Sequence, residues 1–166
     1  MAFPAYFSVM GSKQGQFHGE TVQAKRKDKW MTVQSFRMDL ESPHDAATGL
    51  PTGRRQWKPV KVVKEWGAAS PQFLIACSTN ETLSEVLFEF MKANRSGEEY
   101  VFQTVRLTDA MVSGVRRFTG QPDAQTSASP WSDAMELEEV SLTFRTIEVT
   151  DKDGNTTFAD DWLTST

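Results

Sequence analysis

One cysteine and two histidines in 166 residues leave little material for metal or nucleophilic chemistry. With Cys77 alone there is no intrachain disulfide and no thiolate cluster. Its place on the inner side of a short helical pattern reads as an inert, buried thiol, since a reactive cysteine needs an electropositive, partly exposed setting. His18 and His44 stand in Gly- or Pro-flanked surroundings, at neither the spacing nor the carboxylate company of a metal site. Nucleophile elbows of the GxSxG type and Gly-rich phosphate cradles are also missing. The carboxylates Glu136, Glu138, Glu139, Asp160 and Asp161 come in runs rather than as a separated acid and base, and read as solvated or interfacial charge. No residue is assigned a catalytic, cofactor-binding or metal-binding role, and an enzyme is not expected.

Long apolar runs are lacking as well, which argues against a membrane-spanning helix. Met1-Ala2-Phe3-Pro4 has neither the basic start nor the apolar core of a secretory signal, so folding in the cytoplasm is expected. Any exit from the cell would bypass the general secretory route. The net charge of −4 and the absence of a basic stripe interleaved with aromatics speak against nucleic acid. That total hides an uneven distribution. Residues 1–64 hold 11 Lys and Arg against 5 Asp and Glu, whereas residues 65–166 hold 7 against 17. The bland reading is an uneven solvated surface; the sharper one is a basic and an acidic face suited to head-to-tail contact between copies.

What the sequence does have is strand pattern. Ala5, Phe7 and Val9 alternate, as do Phe36, Met38 and Leu40, then Val86, Phe88 and Phe90, and finally Val140, Leu142 and Phe144. Val60, Val62 and Val63 make a β-branched run among lysines. The 29–41 and 136–150 segments read as long strands, 99–107 and 110–119 as two strands with a tight connection at Thr108-Asp109, and 16–22 and 156–162 as short ones. Two polar loops interrupt them: Ser42 to Gly53, rich in Pro and Gly, and Gly120 to Ala134 with Trp131. A connection as long as the first is often an interaction element.

A single helix is expected, over about residues 71–79. Ser70 is placed to cap it and Pro71 to occupy its first turn. Phe73, Leu74 and Cys77 would face inward, and Thr79-Asn80 would end it. So short a helix must dock on something, and a sheet is what remains. The expectation is one domain over residues 1–166, mainly β: a small antiparallel β-barrel of two sheets, with eight or nine strands and one short flanking α-helix. Its open edges must be closed, covered or paired across subunits.

The stretches MAFPAYFSVMGSKQG, GRRQWKPVKVVKEWGAASPQFLIA, ELEEVSLTFRTIEVT and DDW occur in this order along nearly the whole chain. Together they resemble the haemolysin-coregulated protein (Hcp) family, the tube proteins of bacterial type VI secretion systems. The resemblance implies a two-sheet barrel with one flanking helix, assembled as a homo-hexameric ring. It implies that rings stack into a tube carrying effector proteins in its lumen, alongside spike and sheath proteins of the secretion machine. It also implies residence in the cytoplasm while assembled, then secretion without a signal peptide. Carried onto this sequence, the 42–53 loop, with Pro43, His44, Asp45, Thr48 and Gly49, matches the family loop that reaches between stacked rings. Ser70 and Pro71 match the start of the family's helix. Trp57 stands where many relatives have His, so that position carries no chemistry, and the 120–134 loop is longer than the family's usual one. Two other readings stay open: a phage-like tail tube protein, which shares the fold, and a standalone β-sandwich that binds a ligand through its two long loops, with Trp131 in the second.

Overall fold

The computed structural model describes residues 4–21, 26, 28–119 and 136–163. The 120–134 loop and Trp131 lie outside them. Among the described residues, twelve strands and one helix follow one another as β1 (Ala5–Gly11), β2 (Gly15–Gln16), β3 (Met31–Thr32), β4 (Ser35–Arg37), β5 (Leu40–Glu41), β6 (Gln56–Trp57), β7 (Val60–Glu65), α1 (Ser70–Thr79), β8 (Leu83–Ala93), β9 (Glu99–Thr119), β10 (Glu136–Thr143), β11 (Thr146–Asp151) and β12 (Thr156–Asp161). All described strand pairs are antiparallel, and the main path runs β2-β1-β8-β9-β10-β7-β4.

β9 is the spine. It is 21 residues long and belongs to both sheets. β8 runs along it up to Ala110, β11 pairs with Gln103 to Thr108, and β10 pairs with Met111 to Thr119. Sequence pattern placed a break at Thr108-Asp109 and none between 136 and 150; the structure reverses this. Asp109 takes φ +50° inside an unbroken strand, a left-handed conformation that Asp tolerates better than most residues. The partner strand breaks instead, at Phe144-Arg145, where the Arg145 N–H lies 3.1 Å from the carbonyls of both Thr108 and Asp109. One chain bends and its neighbour is cut, and the sheet turns its corner there.

The 29–41 segment is likewise three short strands rather than one. β3 pairs with β1, and β4 pairs with β7. Between them the Val33 N–H donates to the Ala5 carbonyl and the Gln34 N–H to the Val63 carbonyl. The segment thus bridges the two sheets by changing partner midway, and among the described residues no uninterrupted ladder closes the barrel. The core fills the space within: Phe7 stacks on Phe88 at 5.3 Å, Phe36 meets Phe88 and Phe90 edge-on, and Phe73 of the helix meets Phe17. Most of the alternating residues read as inward are inward: Phe7, Val9, Val60, Val62, Val86, Phe88, Val140 and Leu142 are buried, whereas Phe36, Met38 and Phe90 are half-buried and Leu40, where the 29–41 segment leaves the barrel for the arm, is exposed.

That inward alternation ends in charge. Along β7 the inward residues are Val60, Val62 and Lys64; opposite them on β10 stand Leu142, Val140 and Glu138. Lys64 and Glu138 are both fully buried, with Nζ 2.6 Å from the carboxylate. Lys64 also donates to both oxygens of Glu20 at 2.9 Å and to the Glu65 carbonyl. Glu138 further accepts from Ser70 Oγ at 2.7 Å and from Arg117 Nε at 3.2 Å. Glu138 and Glu139 are therefore not the solvated carboxylates their run suggested. β7 supplies the cations: Lys64 stands directly across the ladder from Glu138, and Lys61, opposite Ser141, reaches Glu139 diagonally at 3.9 Å. Four cations of residues 1–64 (Arg26, Arg55, Lys61, Lys64) pair with carboxylates of residues 65–166, so part of the uneven charge is neutralised inside the subunit.

The same network seats the helix. Ser70 is not its cap: that position is Ala69, which offers no side-chain bond. The Ser70 hydroxyl is engaged elsewhere, accepting from the Gly67 amide at 3.0 Å while donating to Glu138. The Ala69 amide donates instead to the distant Glu20 carboxylate at 2.8 Å. Glu20 passes so close to Gly67 that a Cβ there would push its carboxylate away from Lys64 and the Ala69 amide. Pro71 sits in the first turn as its fixed φ predicts, and Asn80 ends the helix at φ +54°. The buried stripe is Ser70, Phe73 and Ala76; Leu74 and Ile75 are exposed and Cys77 is half-buried. Leu74 was expected inside, but the small Ala69 and Ala76 set the contact line and rotate it out. At the far end of the helix, buried Glu81 accepts from the Lys13 and Gln14 amides at 3.0 and 2.9 Å. Burial pushes its carboxyl up, and these bonds outweigh that, holding it below the usual range.

Replacing Lys64 by Met keeps the volume but leaves the buried Glu138 with only the partly exposed Arg117, and takes the ammonium from the half-buried Glu20. The expected loss is about 3–5 kcal/mol, read as a lower midpoint at unchanged slope in urea unfolding.

Candidate assembly interface

The Pro- and Gly-rich composition of the 42–53 loop predicts a connection without regular structure, yet the loop is ordered. At its base β5 and β6 pair, Leu40 with Trp57 and Glu41 with Gln56. Further out His44 and Pro51 form an isolated antiparallel bridge, with the Thr52 N–H donating to the Pro43 carbonyl at 2.9 Å. At the tip the Asp45 carboxylate accepts from the Ala47 and Thr48 amides at 2.7 and 3.0 Å. These bonds, Thr48's above all, hold the Asp45 carboxyl below its usual value. Gly49 takes φ +73°, which favours glycine there, and its N–H returns to the Asp45 carbonyl. His44 donates from Nδ1 to the Ser42 carbonyl at 2.7 Å, a local brace rather than a proton shuttle. The five loop residues singled out from sequence thus lie together in one arm, most of them exposed.

The arm is clamped to the body by a contact that sequence reading missed. Arg55 grips the Asp160 carboxylate through both Nε and a terminal nitrogen, and also donates to the Asp161 carbonyl. Trp57 is buried and donates from Nε1 to Asp160 at 2.9 Å while its ring meets Phe144 edge-on. The Arg55 guanidinium, the largest influence, draws the Asp160 carboxyl down to about 2; burial opposes it and Trp57 assists. The partners are 105 residues apart in sequence, and no local pattern announces them. The stretches RRQW and DDW that contain them stood out only through family resemblance.

Two other features are unfinished. β12 pairs with β11 and with no other described strand, leaving an open edge that exposes Phe158. Leu50 at the arm tip is 63% exposed, although the turn beneath it is fixed. Among the described residues no group of three or more His, Cys, Asp or Glu side chains is placed to hold a metal ion. His18 and His44 stand on separate elements, each exposed.

The sequence profile of the family described as type VI secretion system effector, Hcp, matches residues 6–150. The chain belongs to the Hcp family. A curated relative, the major exported protein of Pseudomonas aeruginosa PAO1, is 32% identical over 171 residues, covering 98% of this chain and 96% of the relative. The crystal structure of an Hcp protein superposes with a TM-score of 0.85 at 25% identity, over 97% of this chain and 100% of that one. Hcp1 of E. coli EAEC 042 gives 0.82 at 26% identity, over 98% and 100%. The secreted protein Hcp3 of P. aeruginosa gives 0.78 at 26%, again over 98% and 100%. The mainly β architecture of two sheets and one helix read from the sequence is thus the Hcp fold.

Loss of the Arg55 side chain tests the clamp. In Arg55→Gln the Asp160 carboxyl should titrate upward from about 2 toward the ordinary 3.8, followed by NMR of the side-chain carboxyl. Because its folded value is depressed, Asp160 stabilises the native protein above the unfolded value, and that contribution disappears as pH falls through about 2. The variant should show a shallower fall in stability between those two values.

Proposed function

We propose that this Hcp chain is a structural subunit of the type VI secretion inner tube, not an enzyme. Copies form hexameric rings, and the rings stack into a tube that carries or binds effector proteins for export. On this reading the spike and sheath proteins of the machine are its other partners, and export proceeds without a signal peptide. Family membership supports the reading, as do the names of two relatives, one an exported and one a secreted protein.

The observation that carries it is the arm. Its turn, its bridge and its clamp consume many hydrogen bonds, yet most of the 40–56 segment is exposed. An ordered projection of this kind has its use in a second molecule. The 42–53 arm, with Pro43, His44, Asp45, Thr48 and Gly49, is accordingly the element that joins stacked rings. The open β12 edge suits lateral pairing, since an uncovered edge strand otherwise invites uncontrolled association. Ring closure needs a heterologous contact whose rotation closes on itself.

Size-exclusion with light scattering should return about six copies per particle. Shortening 42–53 to a two-residue turn should leave subunit folding and rings intact while removing tubes, as seen by negative-stain microscopy. A stable single subunit at high protein concentration would sink the proposal.

A further inference from the structure

The corner where β9 bends carries a groove of about 390 Å³. Met111, Phe144, Trp162 and Leu163 make its apolar walls, with Asp109 and Arg145 at its rim. The groove is a direct product of the fold: it opens where Asp109 takes its left-handed conformation and where β10 gives way to β11. Leu163 is 72% exposed beside it. The Asp109 carboxylate is exposed and makes no hydrogen bond or ion pair among the described residues, whereas Arg145 is held by Asp161 at 3.0 Å. The groove therefore offers an apolar trough with one free negative charge.

We infer that this groove receives the arm of a second copy, with Leu50 as the apolar anchor and Arg54 facing Asp109. The inference rests on the assembly reading above and names the receptor that reading lacks. The complementarity lies in what each side leaves unused. Leu50 is held out by a fixed turn, and Arg54, four residues on, is an exposed cation without an ion pair among the described residues. The groove shows the converse pair, an uncovered apolar wall and an unmatched carboxylate. The subunit's own arm does not fill it, since no arm residue lines the groove and Leu50 stays exposed. Arm and groove are different surfaces, so the contact is heterologous and extends into rings or filaments rather than stopping at a dimer. A shallow trough and one side chain make a weak pair, which repetition around a ring would multiply through effective concentration.

The test uses two full-length chains in a Cys77→Ser background, one carrying Thr48→Cys on the arm and one Thr143→Cys beside the groove. They are mixed, treated with a short bis-maleimide, and resolved on a denaturing gel, with light scattering run in parallel. The expected result is a mixed cross-linked dimer forming about a hundredfold faster than free thiols at micromolar concentration allow, the effect of a millimolar effective concentration. Adding Leu50→Asp to the arm chain should abolish it, and Leu50→Met should preserve it. Particles of several copies with no mixed cross-link overturn the groove assignment while leaving the assembly reading standing. Cross-links only between two Thr48→Cys chains mean that arm meets arm, and overturn it as well. Particles of a single copy overturn both.

Discussion

A lysine sealed from water between two carboxylates is the constraint on which the rest of this subunit depends. Lys64 is accommodated at full burial because Glu138 faces it across the β7–β10 ladder and Glu20 reaches it from the first third of the chain. A one-residue slip of that register would turn Lys64 outward and bury an unpaired carboxylate, so the ion pair fixes the register more sharply than the valines beside it. Ser70, Ala69 and Gly67 then attach the helix to the same carboxylates. The position of α1 is decided by buried electrostatics, and its apolar stripe follows.

This explains which parts of the fold were legible. Alternation revealed the inward faces because burial of one side of a strand leaves a period-two trace in composition. It revealed neither the fate of Glu138 nor the helix cap, because a polar residue on an inward position breaks the trace and looks like solvent exposure. Nor did it place the breaks correctly. Thr108-Asp109 looks like a turn by residue type, but turn chemistry there serves a bend within one strand, and the interruption moved to Phe144-Arg145, whose residues carry no turn signal. Strand breaks depend on what the neighbouring strand does, which a linear pattern does not record.

The candidate site divides along the same line. The 42–53 segment announced itself by Pro, Gly and Asp, and those residues act locally, Asp45 and Gly49 shaping the tip. What makes the loop an arm is remote. Arg55 and Trp57 both converge on Asp160, and only the folded chain brings β6 beside β12. The uneven charge read from sequence as possible faces proves to be partly internal, with Arg55–Asp160 and Lys64–Glu138 each joining the two halves.

These two charge clusters hold different things, and the difference matters for assembly. Lys64 locks the barrel and its helix; Asp160 locks the arm to the barrel. Ordering the arm inside the subunit means that docking need not restrict its backbone again, so a small contact can suffice where a floppy loop would bind weakly. On the proposed assembly, the arm could separate from its neighbour without unfolding the subunit, because the clamp on Asp160 is separate from the buried lysine. The tube proposed for this chain, first built and later taken apart, would call for that separation: a core that stays fixed, and a joint that yields independently of it.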